Sequence, residues 1–186
     1  WGLAQIMGVK WTRHLLFIGI ILGLADQVTG INTAMYYTPK VLSAAGLPMS
    51  DAISLNVVSG FVSFVGSAIG LWLGTKFARR HVGIYQEASI VVSLGLLAAV
   101  FYFLIQPYQD ADGNIAGAPT FAPYLVLLIV SLFVFAKQSG TVTWVLIAEI
   151  YPAKVRGTAM GLAVGTLWIG NAIVAAVFPV MMEKLG

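Results

Sequence analysis

Leu15-Leu16-Phe17-Ile18-Gly19-Ile20-Ile21-Leu22-Gly23-Leu24-Ala25-Asp26-Gln27-Val28-Thr29-Gly30-Ile31-Asn32 begins with eleven residues that carry no polar side chain, then meets an aspartate. Continued to Tyr37, the stretch can cross a hydrocarbon core about 30 Å thick, which takes roughly 20 helical residues. The same pattern recurs at Ala52–Phe77, Ala88–Gln106, Pro123–Ile147 and Thr158–Met182. Each run is long enough and interrupted by very few charges. The expected fold class is therefore an all-α membrane protein, a helical bundle of five transmembrane helices, with residues 1–186 forming one transmembrane bundle in a lipid bilayer.

Composition agrees. The chain is 59% hydrophobic and 9% charged, where a soluble domain carries about 25% charged residues. With no cysteine, a disulfide scaffold and a thiolate-held metal are excluded. Trp1–Gly8 has no basic start and no small-residue cleavage site, so it does not read as a signal peptide. The chain is expected to begin inside a larger protein.

The net charge of +3 is explained by topology rather than by nucleic acid. Lys10 and Arg13 precede the first span, Lys76, Arg79 and Arg80 follow the second, and Lys154 and Arg156 follow the fourth. Those seven fall on one side of a five-span arrangement, against Lys40 and Lys184 on the other. Cytoplasmic loops collect Lys and Arg, so the N-terminus of the chain is expected inside, in a plasma membrane (the inner membrane in a bacterium). Trp11 reads as an interfacial tryptophan.

The first span is interrupted at Thr29-Gly30-Ile31-Asn32, a break tolerated where it lines a cavity, and Pro39 is expected to end the segment. In the second span Gly66, Gly70 and Gly74 recur every four residues, a face on which another backbone can approach closely. The third span reads as a lipid-facing support helix, while polar groups recur at mid-depth in the first, fourth and fifth. That asymmetry predicts three helices around a wet cavity.

Which residues could act there? Asp26 lies about halfway along its span, where a charge costs roughly 3 kcal/mol or more unless it faces protein or water. It reads as a proton carrier or a hydrogen-bond acceptor for substrate, weighed against a structural aspartate bonded to a neighbouring helix. Lys137 is the other ionisable group inside a span, and a pair with Asp26 would neutralise both. Gln27, Asn32 and Tyr36 offer donors and acceptors together, which suits hydroxyl-rich neutral ligands. Interhelical hydrogen bonds would use the same groups. Trp144 and Trp168 lie within spans, where each could be an apolar wall for the C–H face of a ring or ordinary packing. Asn171 shares nearly the face of Trp168. Glu149 and Arg156, with Arg79 and Arg80, can form a charge network at helix ends that holds one conformation and releases another.

Other chemistries do not emerge. Gly-rich stretches lack the Gly-Lys-Ser/Thr ending of a phosphate loop, and there is no Ser/His/Asp set and no metal-ligand spacing. Asp110, Asp112 and Asn114 alternate as calcium ligands can, but the downstream glutamate is missing. No cofactor, no metal and no enzymatic activity are expected.

Two motifs carry a resemblance. Asp26-Gln27-Val28-Thr29-Gly30-Ile31-Asn32 with Tyr36-Tyr37 and Pro39, and Trp144-Val145-Leu146-Ile147-Ala148-Glu149-Ile150-Tyr151-Pro152 with Arg156-Gly157, resemble the seventh helix and the junction after the tenth helix of sugar porters of the major facilitator superfamily. Phe77-Ala78-Arg79-Arg80 resembles the basic loop after the eighth, with Ala78 in the usual glycine's place. The resemblance implies the C-terminal half of a major facilitator fold, helices seven to eleven, working by alternating access. It implies transport of a sugar or polyol, facilitative or as a proton-coupled symport. Gln27, Asn32 and Tyr36 would bind sugar hydroxyls, Trp144 and Trp168 would line the pocket, and Gly140 would lie in a flexible stretch. Arg79, Arg80, Glu149 and Arg156 would form the inner charge network. An N-terminal six-helix bundle, or a partner chain, would complete the cavity. Departures from the family pattern are Asp26 for glutamine, Ser63 for asparagine, Ala136 for glutamate with Lys137 beside it, and Leu167 for a polar residue. They point away from a standard hexose and leave a pentose, a polyol such as inositol, or a sugar acid paired with Lys137 open. A channel subunit, which saturable counterflow would discard, and a non-transporting sugar sensor, which vesicle uptake would discard, are the rival functions.

Overall fold

The computed structural model describes residues 2–110, 115–140 and 142–185. Helices α1 (Leu3–Gly8), α2 (Lys10–Val28), α3 (Ile31–Ala44), α4 (Met49–Lys76), α5 (Arg79–Val100), α6 (Ala122–Ser139), α7 (Val142–Glu149) and α8 (Arg156–Leu185) account for most of them. They group into five stretches long and apolar enough to cross a membrane, Lys10–Ala44, Met49–Lys76, Arg79–Tyr108, Ala122–Glu149 and Arg156–Met181. These are the five expected from the sequence. α5 starts ahead of its apolar run, at Arg79, where Arg79, Arg80, Gln86 and Glu87 are sound helix formers.

Two spans are broken. α2 stops at Val28, and Gly30 takes a φ of +80°, a left-handed conformation open to glycine at little cost. The Thr29 hydroxyl donates to the Asp26 carbonyl at 2.5 Å, and the Gly30 N–H donates to the Gln27 carbonyl at 3.0 Å. The carbonyls released by the break are thus recaptured locally, as a lipid environment demands. The other break separates α6 from α7 at Gly140; Thr141 lies outside the described residues.

Pro39 does not end its segment: it sits inside α3, which runs on to Ala44. Pro39 withholds the N–H that would reach the Met35 carbonyl, a loss that transmembrane helices tolerate, and the Thr38 hydroxyl donates to the neighbouring Ala34 carbonyl. α5 leaves its regular geometry through a π turn at Phe101–Ile105 and a 3-10 turn at Gln106–Tyr108. Gln109 and Ile115 form an isolated antiparallel bridge. Asp112 and Asn114, between those two in the chain, lie outside the described residues.

The chain forms two compact units, Trp1–Thr33 with Val142–Gly186, and Ala34–Thr141. In the first, α2 packs along α8, with α1 and α7 against them. Its core is Ile6, Leu16, Ile147, Tyr151, Val155, Ala159, Ala163 and Leu167. Lipid tails are as apolar as leucine, so apolar burial alone does not hold helices together in a bilayer; close van der Waals packing does. Gly23 supplies it: a Cβ there would lie 3.2 Å from the Leu167 Cβ and 3.3 Å from the Ala163 carbonyl oxygen. A Cβ on Gly19 would collide with the Tyr151 ring. Thr12 donates to the Ile6 and Val9 carbonyls at 2.8 and 2.9 Å, tying α1 to the start of α2.

In the second unit α6 lies between α4 and α5, which touch one another little. Its middle is buried on most sides, at Val126, Ile129, Val130, Phe133 and Val134. The glycine face of α4 packs on it as expected. A Cβ on Gly70 would fall 2.7 Å from the Ser139 carbonyl oxygen and 2.8 Å from that of Gln138. α5 is more than a lipid-facing support: its Gln86, Ile90 and Ser93 are buried, and the helix packs along α6.

Candidate functional site

The break after α2 gathers the polar residues of the first unit. Asp26 and Gln27 are 6% and 3% exposed, in the last turn of α2 just ahead of Gly30. The Gln27 amide donates to Asp26 Oδ2 at 3.3 Å and accepts from the Asn32 amide at 2.7 Å. This relay from Asn32 through Gln27 to Asp26 bridges the break. A regular helix would turn Asn32 away from Gln27, so it is the irregular backbone that brings the two amides together. Gly170 of α8 packs there, since a Cβ on it would lie 3.8 Å from the Gln27 side-chain carbons. Asn171, the next residue, is 8% exposed. The structure thus places Asp26, Gln27, Asn32 and Asn171 in one region of the first unit. Trp144 on α7 and Trp168 on α8 are 42% and 52% exposed, broad rings left open rather than sunk into the core. Tyr36 is also exposed, on α3.

A second polar cluster sits in the other unit and was only partly foreseen. Lys137 is buried, and its Nζ lies 3.9 Å from Glu87 Oε1, a carboxylate with an exposed side chain. Glu87 lies just ahead of the third apolar run, and in sequence Asp26 drew attention away from it. The Gln86 amide donates to the Lys137 carbonyl at 3.3 Å, one of the groups freed where α6 stops. Its side chain fills the space above Gly140, so that any Cβ on Gly140 would collide with it. The Gln138 amide donates to Ser63 Oγ of α4 at 2.9 Å. Ser63, where the family usually has a sugar-contacting asparagine, is thus tied to α6. Leu167 is fully buried in the α2–α8 core, and Ala136 is buried on α6. Neither departs toward polarity.

At the helix ends, Arg79 Nη1 donates to the Gly74 carbonyl at 3.3 Å, capping α4. Arg156 Nε donates to the Tyr151 carbonyl at 3.1 Å, bracing the turn between α7 and α8. Arg80 and Glu149 are exposed. Tyr151 lies in that turn, buried, and burial raises its phenol above the ordinary value of 10.0. Among the described residues no cluster of His, Cys, Asp or Glu could hold a metal ion.

Buried amides at one helix break and a buried lysine near another thus lie within glycine-packed helices long and apolar enough to cross a membrane. Comparison with known proteins gives the family. The model of the sugar (and other) transporter family matches residues 3–186. The chain belongs to that family. It is 35% identical over 178 residues to YncC of Bacillus subtilis (strain 168), covering 95% of this chain and 35% of that protein. It is 30% identical over 182 residues to the major myo-inositol transporter IolT of the same organism, covering 97% and 36%. It is 30% identical over 173 residues to the D-xylose-proton symporter of Escherichia coli (strain K12), covering 91% and 32%. A crystal structure of a D-xylose-proton symporter superposes with a TM-score of 0.61 at 28% identity, covering 89% of this chain and 35% of that one. The family member described here is thus an integral membrane protein of five apolar helices, and it spans about a third of the length of the curated relatives it matches. Those relatives whose names state an activity are transporters, not enzymes.

Proposed function

We propose that these residues are helices seven to eleven of a secondary transporter, and that they form part of a mid-membrane site for a sugar or polyol worked by alternating access. The observation that carries this reading is the Asn32–Gln27–Asp26 relay. Its members are satisfied by one another across a break in the backbone, so a ligand hydroxyl, donor and acceptor at once, can replace one amide bond without leaving another orphaned. Asn171 contributes a third amide, and Trp144 and Trp168 offer apolar faces to a ring. Tyr36 adds a hydroxyl. Gly140 lets the fourth span bend. Substrate shifts the balance of states only as far as its differential affinity for them.

The relatives named for D-xylose, myo-inositol and glucose support a sugar or polyol, and the preference for a pentose or polyol over a standard hexose rests on the departures at Asp26, Ser63 and Leu167. Asp26 is the candidate coupling group of a proton symport, with Lys137 its candidate partner. Arg79, Arg80, Glu149 and Arg156 form the inner network that holds the outward-open state. The N-terminus lies on the cytoplasmic side of a plasma membrane. Further transmembrane helices, from the same protein or a partner, close the cavity.

The test is counterflow in reconstituted vesicles with labelled D-xylose and myo-inositol. Saturable counterflow of one of them, reduced at least tenfold in Gln27→Leu, supports the site. Flux that rises linearly with concentration, or full activity in Gln27→Leu, overturns it. Uptake measured against pH in Asp26→Asn decides the coupling role: an unchanged profile removes Asp26 as the proton carrier.

A further inference from the structure

A groove of about 310 Å³ opens between the C-terminal end of α4 and the first half of α5. Leu73 and Phe77 form one wall, Val82 and Tyr85 the other, and Ala136 and Gly140 of α6 the floor. It exists because α4 and α5 both pack on α6 while scarcely meeting each other, and because the two floor residues add almost no bulk. The polar relay of the sugar reading lies on other helices, and Gly140, the bend of the fourth span in that reading, is the floor residue the two share.

The occupant can be read from the charge around the rim. His81 lines the groove, and Lys76, Arg79 and Arg80 flank Phe77 and His81 in the chain. No acid occurs between Asp51 and Glu87. Lys76 Nζ stands 6.0 Å over the Trp72 ring and Arg79 Nη1 donates to the Gly74 carbonyl, both at the end of α4 that borders the groove. An apolar slot beside this basic stretch, on helices whose outer faces are apolar, fits an amphiphile with a negative head. We infer that the groove holds an acyl chain of an anionic phospholipid, with the phosphate at the basic residues around Phe77. A zwitterionic lipid could offer the same chain but would gain much less from the charge; each basic side chain near an anionic headgroup is worth about fivefold in affinity. The chain would lie against Gly140 and Gln86. Gln86 is the residue that holds the Lys137 carbonyl at the α6 break, so an occupied groove keeps that amide in place and the break in its present form.

The inference rests on the membrane position of the helices and not on the substrate, so its test reads lipid binding rather than transport. Native mass spectrometry of the purified protein compares phosphatidylglycerol with phosphatidylcholine of matched chains. Phosphatidylglycerol is expected to bind at least fivefold tighter. Lys76→Gln combined with His81→Gln should reduce that preference about fivefold or more, and Ser89→Trp, placed in the groove wall, should abolish binding of both lipids. Equal binding of the two lipids by the unaltered protein overturns the proposal. So does full phosphatidylglycerol binding in a Ser89→Trp protein whose unfolding midpoint is unchanged. Should Ser89→Trp fail to fold, the charge variant decides alone, and an unaltered lipid preference there overturns it. Failure of phosphatidylglycerol to bind at all, as when another segment of protein fills the groove, does the same.

Discussion

The α2–α8 pair and the α4–α5–α6 group solve the same problem with different means. Both bring helices to close range through glycine, Gly19 and Gly23 in the first and Gly66 and Gly70 in the second. They differ in how buried polar side chains are satisfied. In the first unit Asn32, Gln27 and Asp26 bond along one stretch of chain, over a break. In the second, Gln86 and Gln138 bond across helices to Lys137 and Ser63. A bond made within one segment can be exchanged for a ligand's hydroxyl while the helix packing stays as it is. A bond made between helices cannot be exchanged without loosening the packing. On the proposed reading the comparison separates amides that serve substrate from amides that hold the fold, although both sets are buried or partly buried amides in apolar helices.

The largest effect that would break or uphold this comparison belongs to the glycines. Gly70→Leu is expected to destabilise by about 3 kcal/mol or more, because the added side chain meets backbone carbonyls that cannot swing aside. Gly161→Leu, whose Cβ would meet nothing within 4 Å, should stay within about 0.5 kcal/mol. Thermal unfolding in detergent measures both, and equal losses would mean that the α4–α6 contact is looser than described. Next come the amides. Gln138→Leu should cost about 1 kcal/mol of stability and leave the counterflow half-saturation concentration of the reconstituted transporter unchanged. Gln27→Leu should lose at least tenfold of counterflow, at a stability cost of about 1–3 kcal/mol because it takes a hydrogen bond from both the buried Asp26 carboxylate and the Asn32 amide. The same signature from both variants would erase the distinction between the two units.

Smaller still is the coupling of Lys137 to Glu87. With the carboxylate largely in contact with its surroundings, a double-mutant cycle of Lys137→Met and Glu87→Gln should give about 0.5 kcal/mol. A cycle with Asp26→Asn that gives a larger coupling would move the lysine's partnership to the first unit. The smallest change is expected at Tyr151. Its hydroxyl is buried with no hydrogen-bond partner among the described residues, so Tyr151→Phe should be close to neutral. Burial raises the folded phenol above 10.0, so the folded state keeps its proton longer than the unfolded chain. Stability from this group is complete below pH 10 and is lost as pH rises through the folded value. Tyr151→Phe should accordingly resist alkaline unfolding better than the unaltered protein. An identical alkaline midpoint would show that Tyr151 is not the group that titrates.

Much of the candidate site was legible because polarity inside a twenty-residue apolar run is conspicuous. Asp26, Gln27, Asn32, Lys137 and Asn171 stand out in this way, and all but the partly buried Asn32 are buried. Glu87 and Gln86 were not legible, because they precede the third apolar run and look like loop residues; only the early start of α5 at Arg79 carries them into the bundle. Pro39 misled, since a proline's missing N–H is a local signal and a transmembrane helix can run on through it, as α3 does. The close approach of Gly19 and Gly23 to α8 gave no signal that distinguished them from other glycines.

The sequence by itself determined that this is a bundle of five membrane-crossing helices, where the first of them breaks, and which side chains are too polar to face lipid. These follow from length, hydropathy and backbone chemistry, which act on each segment separately. Tertiary structure alone decided the break at Gly140, which of those side chains bond to neighbouring helices and which bond along their own stretch of chain. That division depends on distances between helices, and no single segment encodes them.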